Sequence, residues 1–302
     1  MRGMSEKQWR VRFDAEVRFA NGGDLRVRDF RLDVPGDDIS DAELGELLVR
    51  HLGLLMVGEV EILGKELIQE AHKGSRGTPR AARERRLVEL SHVLEDGMVT
   101  VPGLPAPRIV DHETHAQSRP RYAPGTEFHF ASITMVGNTG TYVDAPLHRY
   151  EDGADLAGVP LERLVDLDGL VVRAEGAAVI TRELLLPLDV RGRAVLVHTG
   201  WSRHWGTETY LSGHPHLTEE AAAFLVEEGA ALLGIDSQNV DSTQGGERPV
   251  HSGLLAAGIP IVEHMTGLDG LPPEGFRFHA APPRITGVGT FPVRAYAIVT
   301  GE

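Results

Sequence analysis

Cysteine is absent from the 302-residue chain. Disulfides, zinc–cysteine sites, iron–sulfur ligation and a cysteine nucleophile are therefore excluded, and the composition suits a reducing compartment. Long apolar runs are absent as well, since no stretch approaches the ~18 uninterrupted apolar residues of a membrane span. The opening residues, MRGMSEKQWRVRFD, hold no apolar segment of the secretory type, so a cytoplasmic protein that does not engage membranes is expected. Basic residues are in deficit. The 30 Lys+Arg against 44 Asp+Glu give a formal net charge of −14, which repels phosphate backbones and argues against a nucleic-acid partner. What is present is an ordinary globular composition, 41% hydrophobic and 25% charged, sufficient for a large core. Histidine is the informative residue, with 14 copies, several of them beside turns, glycines or acidic residues.

Residues 1–72 read as a small module. Phe13 to Phe19 alternates apolar and polar, Asn21-Gly22-Gly23 supplies a turn, and Leu25 to Leu32 alternates again, which is a hairpin signature. Ser40-Asp41-Ala42-Glu43 is a capping-box pattern, followed by Leu44, Leu47, Leu48 and Leu52 at helical spacing. Val57 to Ile68 reads as a further strand, so the order is ββαβ. No catalytic constellation stands out there, and a docking or dimerisation role is expected. Residues 73–86, KGSRGTPRAARERR, read as a basic linker. Over 87–302 the texture changes. Ala194 to Val197, Ala231 to Ile235, Ile259 to Val262 and Val293 to Val299 read as strands, and Thr218 caps a helix from Glu219 to Glu228 that stops at Gly229. Strands alternating with helices predict an α/β domain whose site residues lie just past strand ends.

The densest chemical signal is Asn138-Thr-Gly-Thr-Tyr-Val-Asp-Ala-Pro-Leu-His148. Asp144 and His148 can act as a metal ligand with a general base, or as an acid/base pair. A second cluster runs from Gly234-Ile-Asp236 through Asp241, then Arg248-Pro-Val-His251, and, after a short helix, Glu263-His264. Asp, His and Glu are ligands suited to zinc or manganese. Trp201, His204, Gln238 and Arg248 are candidates for lining a substrate pocket. Arg248 and Arg294 fit either a substrate carboxylate or an ion pair with Asp236 or Asp241. His112, His115 and His129 fall in a segment with the look of a lid, and His264 is expected to face away from Glu263 as a structural group.

Taken together, residues 87–299 are similar to the cyclase family that includes bacterial kynurenine formamidases, isatin hydrolases and some aromatic polyketide cyclases. The matching pieces are Ser91-His-Val-Leu-Glu-Asp-Gly-Met98 with Val101-Pro-Gly103, the Asp-Ala-Pro-Leu-His segment, His198-Thr-Gly-Trp201 with Trp205-Gly206, Gly234-Ile-Asp236 through Asp241, His251, Glu263, and Phe291 to Ala295. The resemblance implies a swivelling β/β/α-type α/β fold, homo-oligomers and, in formamidase members, metal-dependent hydrolysis. The family's metal-binding pattern reads His-x-Gly-Thr-His-x-Asp-x-Pro-x-His. Here Asn138 and Tyr142 stand at its first two histidines, while Asp144 and His148 agree. By that resemblance the first metal site is lost or weakened. The ligands of the second survive as Asp144, His251 and Glu263, and His148 corresponds to the catalytic histidine.

The expected protein is accordingly an amidohydrolase acting on a small molecule, a formamide or cyclic amide. One divalent cation, zinc or manganese, would activate water, His148 would move a proton, and Tyr142 would donate to substrate or to Asp144. Asn138 joins Tyr142 and His148 in the catalytic set. Two alternatives stay open: a metal-independent cyclase or dehydratase acting on a polyketide-like substrate through Asn138, Tyr142 and His148, and a non-catalytic small-molecule binder.

Overall fold

The computed structural model describes residues 7–71 and 85–300. It divides into two compact units, Met1–Ala82 and Arg83–Glu302. In the first, strands β1 (Lys7–Phe19) and β2 (Asp24–Val34) form the expected hairpin, helix α1 spans Asp41–Leu52, and β3 (Val57–Ala71) completes an antiparallel sheet in the order β2-β1-β3. Strict alternation along β1 buries Val11, Phe13, Ala15 and Val17 on one face, where they meet Leu44 and Leu48 of α1. The capping box is formed: Glu43 N donates to Ser40 Oγ (3.2 Å), and Ser40 N donates to Glu43 Oε2 (2.9 Å). Donation to Glu43 Oε2 from the Ser40 hydroxyl (2.7 Å), and then from Ser40 N, holds the Glu43 carboxyl below its ordinary range.

In the second unit the strands are β4 (Arg85–Glu89), β5 (Arg108–Glu113), β6 (Phe130–Thr134), β7 (Tyr142–Asp144), β8 (Leu167–Arg173), β9 (Val179–Ile180), β10 (Ala194–His198), β11 (His216–Leu217), β12 (Leu232–Ile235), β13 (Ile261–Glu263), β14 (Glu274–His279), β15 (Thr290–Pro292) and β16 (Tyr296–Thr300). The helices are α2 (His115–Ser118), α3 (Arg182–Leu185), α4 (Glu219–Glu227) and α5 (Pro249–Ala256). Nine strands make one sheet, β15-β7-β13-β12-β10-β8-β14-β16-β4. Its centre, β8-β10-β12-β13, is parallel, and antiparallel strands extend it on both sides. Parallel strands need cover on both faces. Val195, Val197, Leu233 and Ile235 pack with Phe224 and Leu225 of α4 and Leu254 of α5. Leu196, Leu232 and Val262 pack on the other face with Met265, Phe276 and Phe278. This is the α/β domain expected. Among the described residues no helix is long and apolar enough to cross a membrane.

Three sequence expectations move. Residues 73–84 of the 73–86 linker lie outside the described residues, but Arg85 and Arg86 belong to β4, the edge strand paired with β16. An exposed edge strand can carry arginines that resemble a linker. The single strand expected over Val293 to Val299 is two. β15 pairs with β7 at one side of the sheet, and the chain then crosses to pair β16 with β14 and β4 at the other. Glu263 ends β13 rather than following it, and α5 starts at Pro249, so His251 sits inside its first turn.

Candidate active site

The site collects at the β15-β7-β13 side of the sheet. Tyr142 and Asp144 alternate along β7, Glu263 pairs with Tyr142 across to β13, and Thr290 of β15 pairs with Asp144. His148 ends the 3₁₀ turn Pro146–His148. Two glycines allow the close approach. A Cβ on Gly289 would lie 2.4 Å from His148 N, and one on Gly137 would lie 2.1 Å from Thr290 O.

Asp144 is fully buried. Its Oδ1 accepts a short hydrogen bond from the Thr290 hydroxyl and lies 3.5 Å from His148 Nδ1, while its Oδ2 has no hydrogen-bond partner. Thr290 Oγ1 is also 2.8 Å from His148 Nδ1. A hydroxyl has one proton, and here it goes to the carboxylate. The His148 contact must then run from Nδ1–H to the hydroxyl lone pair, which in the neutral imidazole makes Nε2 the nitrogen without a proton.

His251 Nε2 is 3.6 Å from Asp144 Oδ2 and 3.6 Å from Glu263 Oε1. Its other nitrogen, Nδ1, is 2.6 Å from Asp241 Oδ2. Asp241 also accepts from the free backbone N–H groups of Val250 (2.8 Å) and His251 (3.0 Å), so one carboxylate both caps α5 and orients the imidazole. Burial opposes ionisation of Asp241, but the hydrogen bonds from His251 overcome it and hold the carboxyl below its ordinary range. Burial likewise disfavours a charged His251, but Glu263, Asp144 and Asp241 surround it and raise it to about 10. Burial, chiefly, raises Glu263 to about 7.

Tyr142, expected to donate to substrate or to Asp144, has a different hydroxyl partner in the structure. Its hydroxyl donates to Glu263 Oε2 at 2.7 Å, and the Asn138 side chain hydrogen-bonds to it in turn. The other Glu263 oxygen accepts from Val240 N (2.7 Å). Burial, with the charges of Glu263 and Asp144, pushes the Tyr142 hydroxyl well above its ordinary value, so it remains a neutral donor. The two positions that depart from the cyclase pattern thus form one chain, Asn138 to Tyr142 to Glu263.

The donor set fits a divalent cation. Three carboxylates face one imidazole, and a buried carboxylate oxygen is left without a partner. Asp144, His148 and His251 bring their ligand atoms within 4.8 Å of one another. Asp144 and His251 of the expected trio therefore meet, His148 joins them, and Glu263 stands beside His251 Nε2.

These groups open into a cavity of about 250 Å³ whose wall includes Asn138, Tyr142, His148, Arg149, Asn239 and Arg248. That is below the roughly 300–1,000 Å³ of sites for drug-sized ligands. Of the residues expected to line it, Arg248 does. Trp201, His204 and Gln238 do not. Trp201 Nε1 donates to Tyr210 O (3.1 Å) and its ring meets His204 edge-on at 4.8 Å, while Gln238 Oε1 is buried without a partner. Neither arginine makes the ion pair considered for it: Arg248 donates to backbone carbonyls, and Arg294 pairs with Glu89 at 2.8 Å. Asp236 instead accepts from Thr199 N, Thr199 Oγ1 and Gly200 N, fixing the loop after β10. His129 pairs with Asp111 at 2.8 Å on the β5–β6 hairpin, and neither it nor His112 or His115 reaches the cavity wall. His264 is fully buried in a left-handed conformation (φ 56°), with Nδ1 2.9 Å from Tyr210 OH. Sequence reasoning missed Thr290, Asn239 and Arg149. Arg149 adjoins His148 and Asn239 lies within the Asp236–Asp241 motif, so both were within reach; Thr290 carried no local signal. A larger cavity of about 630 Å³ lies within the first unit, between α1 and the start of β3, and no histidine lines it.

Comparison with known proteins bears on the family and the fold. The family model described as "Putative cyclase" matches residues 88–242. A kynurenine formamidase of Geobacillus thermodenitrificans is 27% identical over 217 residues, covering 69% of this chain and 95% of that one. Among solved structures, isatin hydrolase A from Labrenzia aggregata bound to benzyl benzoate superposes with a TM-score of 0.63 at 26% identity, over 72% of this chain and 94% of that one. A structure described as a potential metal-dependent hydrolase with cyclase activity matches with a TM-score of 0.59 at 25% identity, over 72% of this chain and all of that one (100%).

Proposed function

The chain belongs to the cyclase family, its relatives there include amidohydrolases, and we propose that it hydrolyses a non-peptide C–N bond in a small formamide or cyclic amide. One observation carries this reading: the unpartnered, buried Asp144 Oδ2 lies 3.6 Å from His251 Nε2, beside a histidine whose free nitrogen can take a proton. The relatives named for a formamidase and an isatin hydrolase support the bond type. We assign Asp144, His251 and Glu263 as the residues that hold one zinc or manganese ion, with His148 adjoining them.

When bound, such an ion supplies Lewis acidity towards water and a carbonyl oxygen. The chain's own residues do the rest. Asp144, held through Oδ1 by Thr290, keeps Oδ2 directed at His251. Asp241 accepts from His251 Nδ1–H, so Nε2 is the nitrogen that would face a cation once it gives up the proton that the surrounding carboxylates favour. His148, protonated on Nδ1 by its contact with Thr290, accepts a proton at Nε2 from attacking water and returns it to the leaving nitrogen. Asn239 lines the cavity and its Oδ1 is taken by Asp241 N (2.9 Å), so its amide nitrogen is the group left to donate to a developing oxyanion. Tyr142 is occupied in holding Glu263 and takes no part in proton transfer.

A second reading is favoured by one feature. Both oxygens of Glu263 already have donors, so Glu263 needs no cation, and acid/base ring closure around His148 without a metal accounts for that arrangement. The separating measurement is metal content per chain, by elemental analysis of protein purified without chelator or affinity nickel, alongside turnover of a formamide and cyclic-amide panel. About one zinc or manganese per chain with amide turnover is expected, and Glu263→Gln should lose the ion. No ion after incubation with both metals would overturn the hydrolase reading; an ion retained in Glu263→Gln would remove Glu263 from the ligand set.

A further inference from the structure

Two guanidinium groups share the wall of the small cavity. Arg149 and Arg248 both line it, and among the described residues neither has a carboxylate within ion-pair distance. Each is tethered at one point by neutral acceptors. Arg149 Nε donates to Ser252 Oγ (3.1 Å), which leaves both terminal nitrogens without a partner among the described residues. Arg248 Nη1 donates to the carbonyls of Ser242 (3.1 Å), Gly245 (2.9 Å) and Glu247 (2.6 Å), which leaves Nη2 and Nε. The tethers are informative. Arg149 follows His148 directly, and its anchor Ser252 follows His251, so this arginine is strapped across the chain neighbours of both site histidines. Arg248 precedes α5, the helix that carries His251. A protein with a net charge of −14 thus presents two fixed, unpaired cations beside its polar cavity.

Unpaired guanidinium groups held by one nitrogen, with the others directed elsewhere, recognise a planar oxyanion by parallel N–H···O pairs. We propose that Arg149 and Arg248 form a carboxylate clamp, so that the substrate of this site is a small amide or formamide bearing a carboxylate. The clamp rests on the amide-hydrolase reading for the scissile bond, but not for the anion. Small size follows from the cavity of about 250 Å³. A monoanion fits better than a dianionic phosphate, because Asp144, Asp241 and Glu263 already place negative charge beneath the cavity.

The test uses a matched pair, formanilide and its ortho-carboxylate 2-formamidobenzoate, with the metal-replete protein and its Arg149→Gln, Arg149→Lys and Arg248→Lys variants. Binding of 2-aminobenzoate and of aniline is measured by calorimetry on the same proteins, so the anion can be followed without turnover. The wild type should favour the carboxylate substrate at least tenfold in kcat/KM, mainly through KM. Arg149→Gln should collapse that ratio towards one and weaken 2-aminobenzoate binding about tenfold or more. Arg149→Lys should fall between, since it keeps the charge and loses the fork. Turnover of both substrates with no preference, or a preference untouched by the three substitutions, would overturn the clamp and leave the hydrolase reading standing. If neither substrate reacts, arginine-dependent binding of 2-aminobenzoate sustains the clamp and counts against the chemistry, whereas absent or arginine-independent binding overturns the clamp as well.

Discussion

Thr290 joins Asp144 to His148 and has no chemistry of its own, so Thr290→Val tests the geometry of the site directly. Valine keeps the shape and removes the hydroxyl. In the folded protein that hydroxyl donates to a fully buried carboxylate, Asp144, and accepts from His148 Nδ1. Because Asp144 Oδ2 already lacks a partner, loss of Thr290 leaves the ion with no side-chain hydroxyl donor at all. A hydrogen bond to a charged group contributes about 1.5–3 kcal/mol and a neutral one about 0.5–1.5, and part returns with the better burial of valine. The net expectation is a loss of about 3 kcal/mol. For a unit of the size of Arg83–Glu302, each kcal/mol lowers Tm by about 2–4 °C, so the melting transition should fall by roughly 6–12 °C. Turnover should fall about 10- to 100-fold, because His148 is no longer confined to the tautomer with Nε2 free. Thr290→Ser, which restores the hydroxyl, should recover most of both. Differential scanning calorimetry with steady-state kinetics on the three proteins decides it. A valine variant that melts within about a degree of wild type and turns over at the same rate would refute the hydroxyl relay.

Three further outcomes follow from the same geometry. Asp241→Asn removes the charge that orients His251 and caps α5, so affinity for zinc in a chelator competition should drop about 10- to 100-fold with the fold retained; unchanged affinity would contradict the assigned role. Asn138→His with Tyr142→His restores the cyclase pattern at both departures and releases Glu263 from Tyr142, so metal content should rise from about one towards two per chain; a stoichiometry that does not move would mean that more than these two residues was lost. Burial lowers His264 to about 3, against an ordinary value of 6.5. Between those values the unfolded chain binds a proton that the folded one refuses, so this contribution to stability is complete above pH 6.5 and declines as pH falls. It amounts to roughly 3 kcal/mol lost by pH 4. His264→Asn, which tolerates the left-handed backbone, should flatten the acid limb of a urea-stability profile between pH 4 and 6.5; an unchanged slope would place the acid sensitivity elsewhere.

Legibility of the fold followed burial. Strands with one buried face, such as β1, announce themselves by alternation, and fully buried parallel strands such as Ala194–His198 by continuous apolar runs. Strands that lack either signature were hidden. β4 is mostly exposed, so its arginines resembled the end of a linker. β15 and β16 were merged because local hydrophobicity cannot say that the chain leaves one side of a nine-stranded sheet for the other between Pro292 and Tyr296.

The site shows the same division in chemical terms. Asp144 and His148 are four residues apart, so a spacing pattern can find them. His251 and Glu263 sit on consecutive elements, a helix and the strand after it. Thr290 lies 142 residues from His148 and reaches it only because β15 pairs with β7. Proximity to a motif misled in the opposite direction: Trp201 and His204 adjoin a strand-end motif, yet that loop is tied to Asp236, and the two rings pack on each other rather than on the cavity. Tyr142 is the instructive intermediate. Its place in the pattern was readable and its partner was not, because the register of β7 against β13 sets Tyr142 opposite Glu263 while Asp144 faces Thr290. In the structure Tyr142 holds the neighbouring carboxylate of Glu263. If a histidine at this position would hold a cation, as the resemblance to the cyclase pattern implies, a metal count on the Asn138→His, Tyr142→His double variant reads that difference directly.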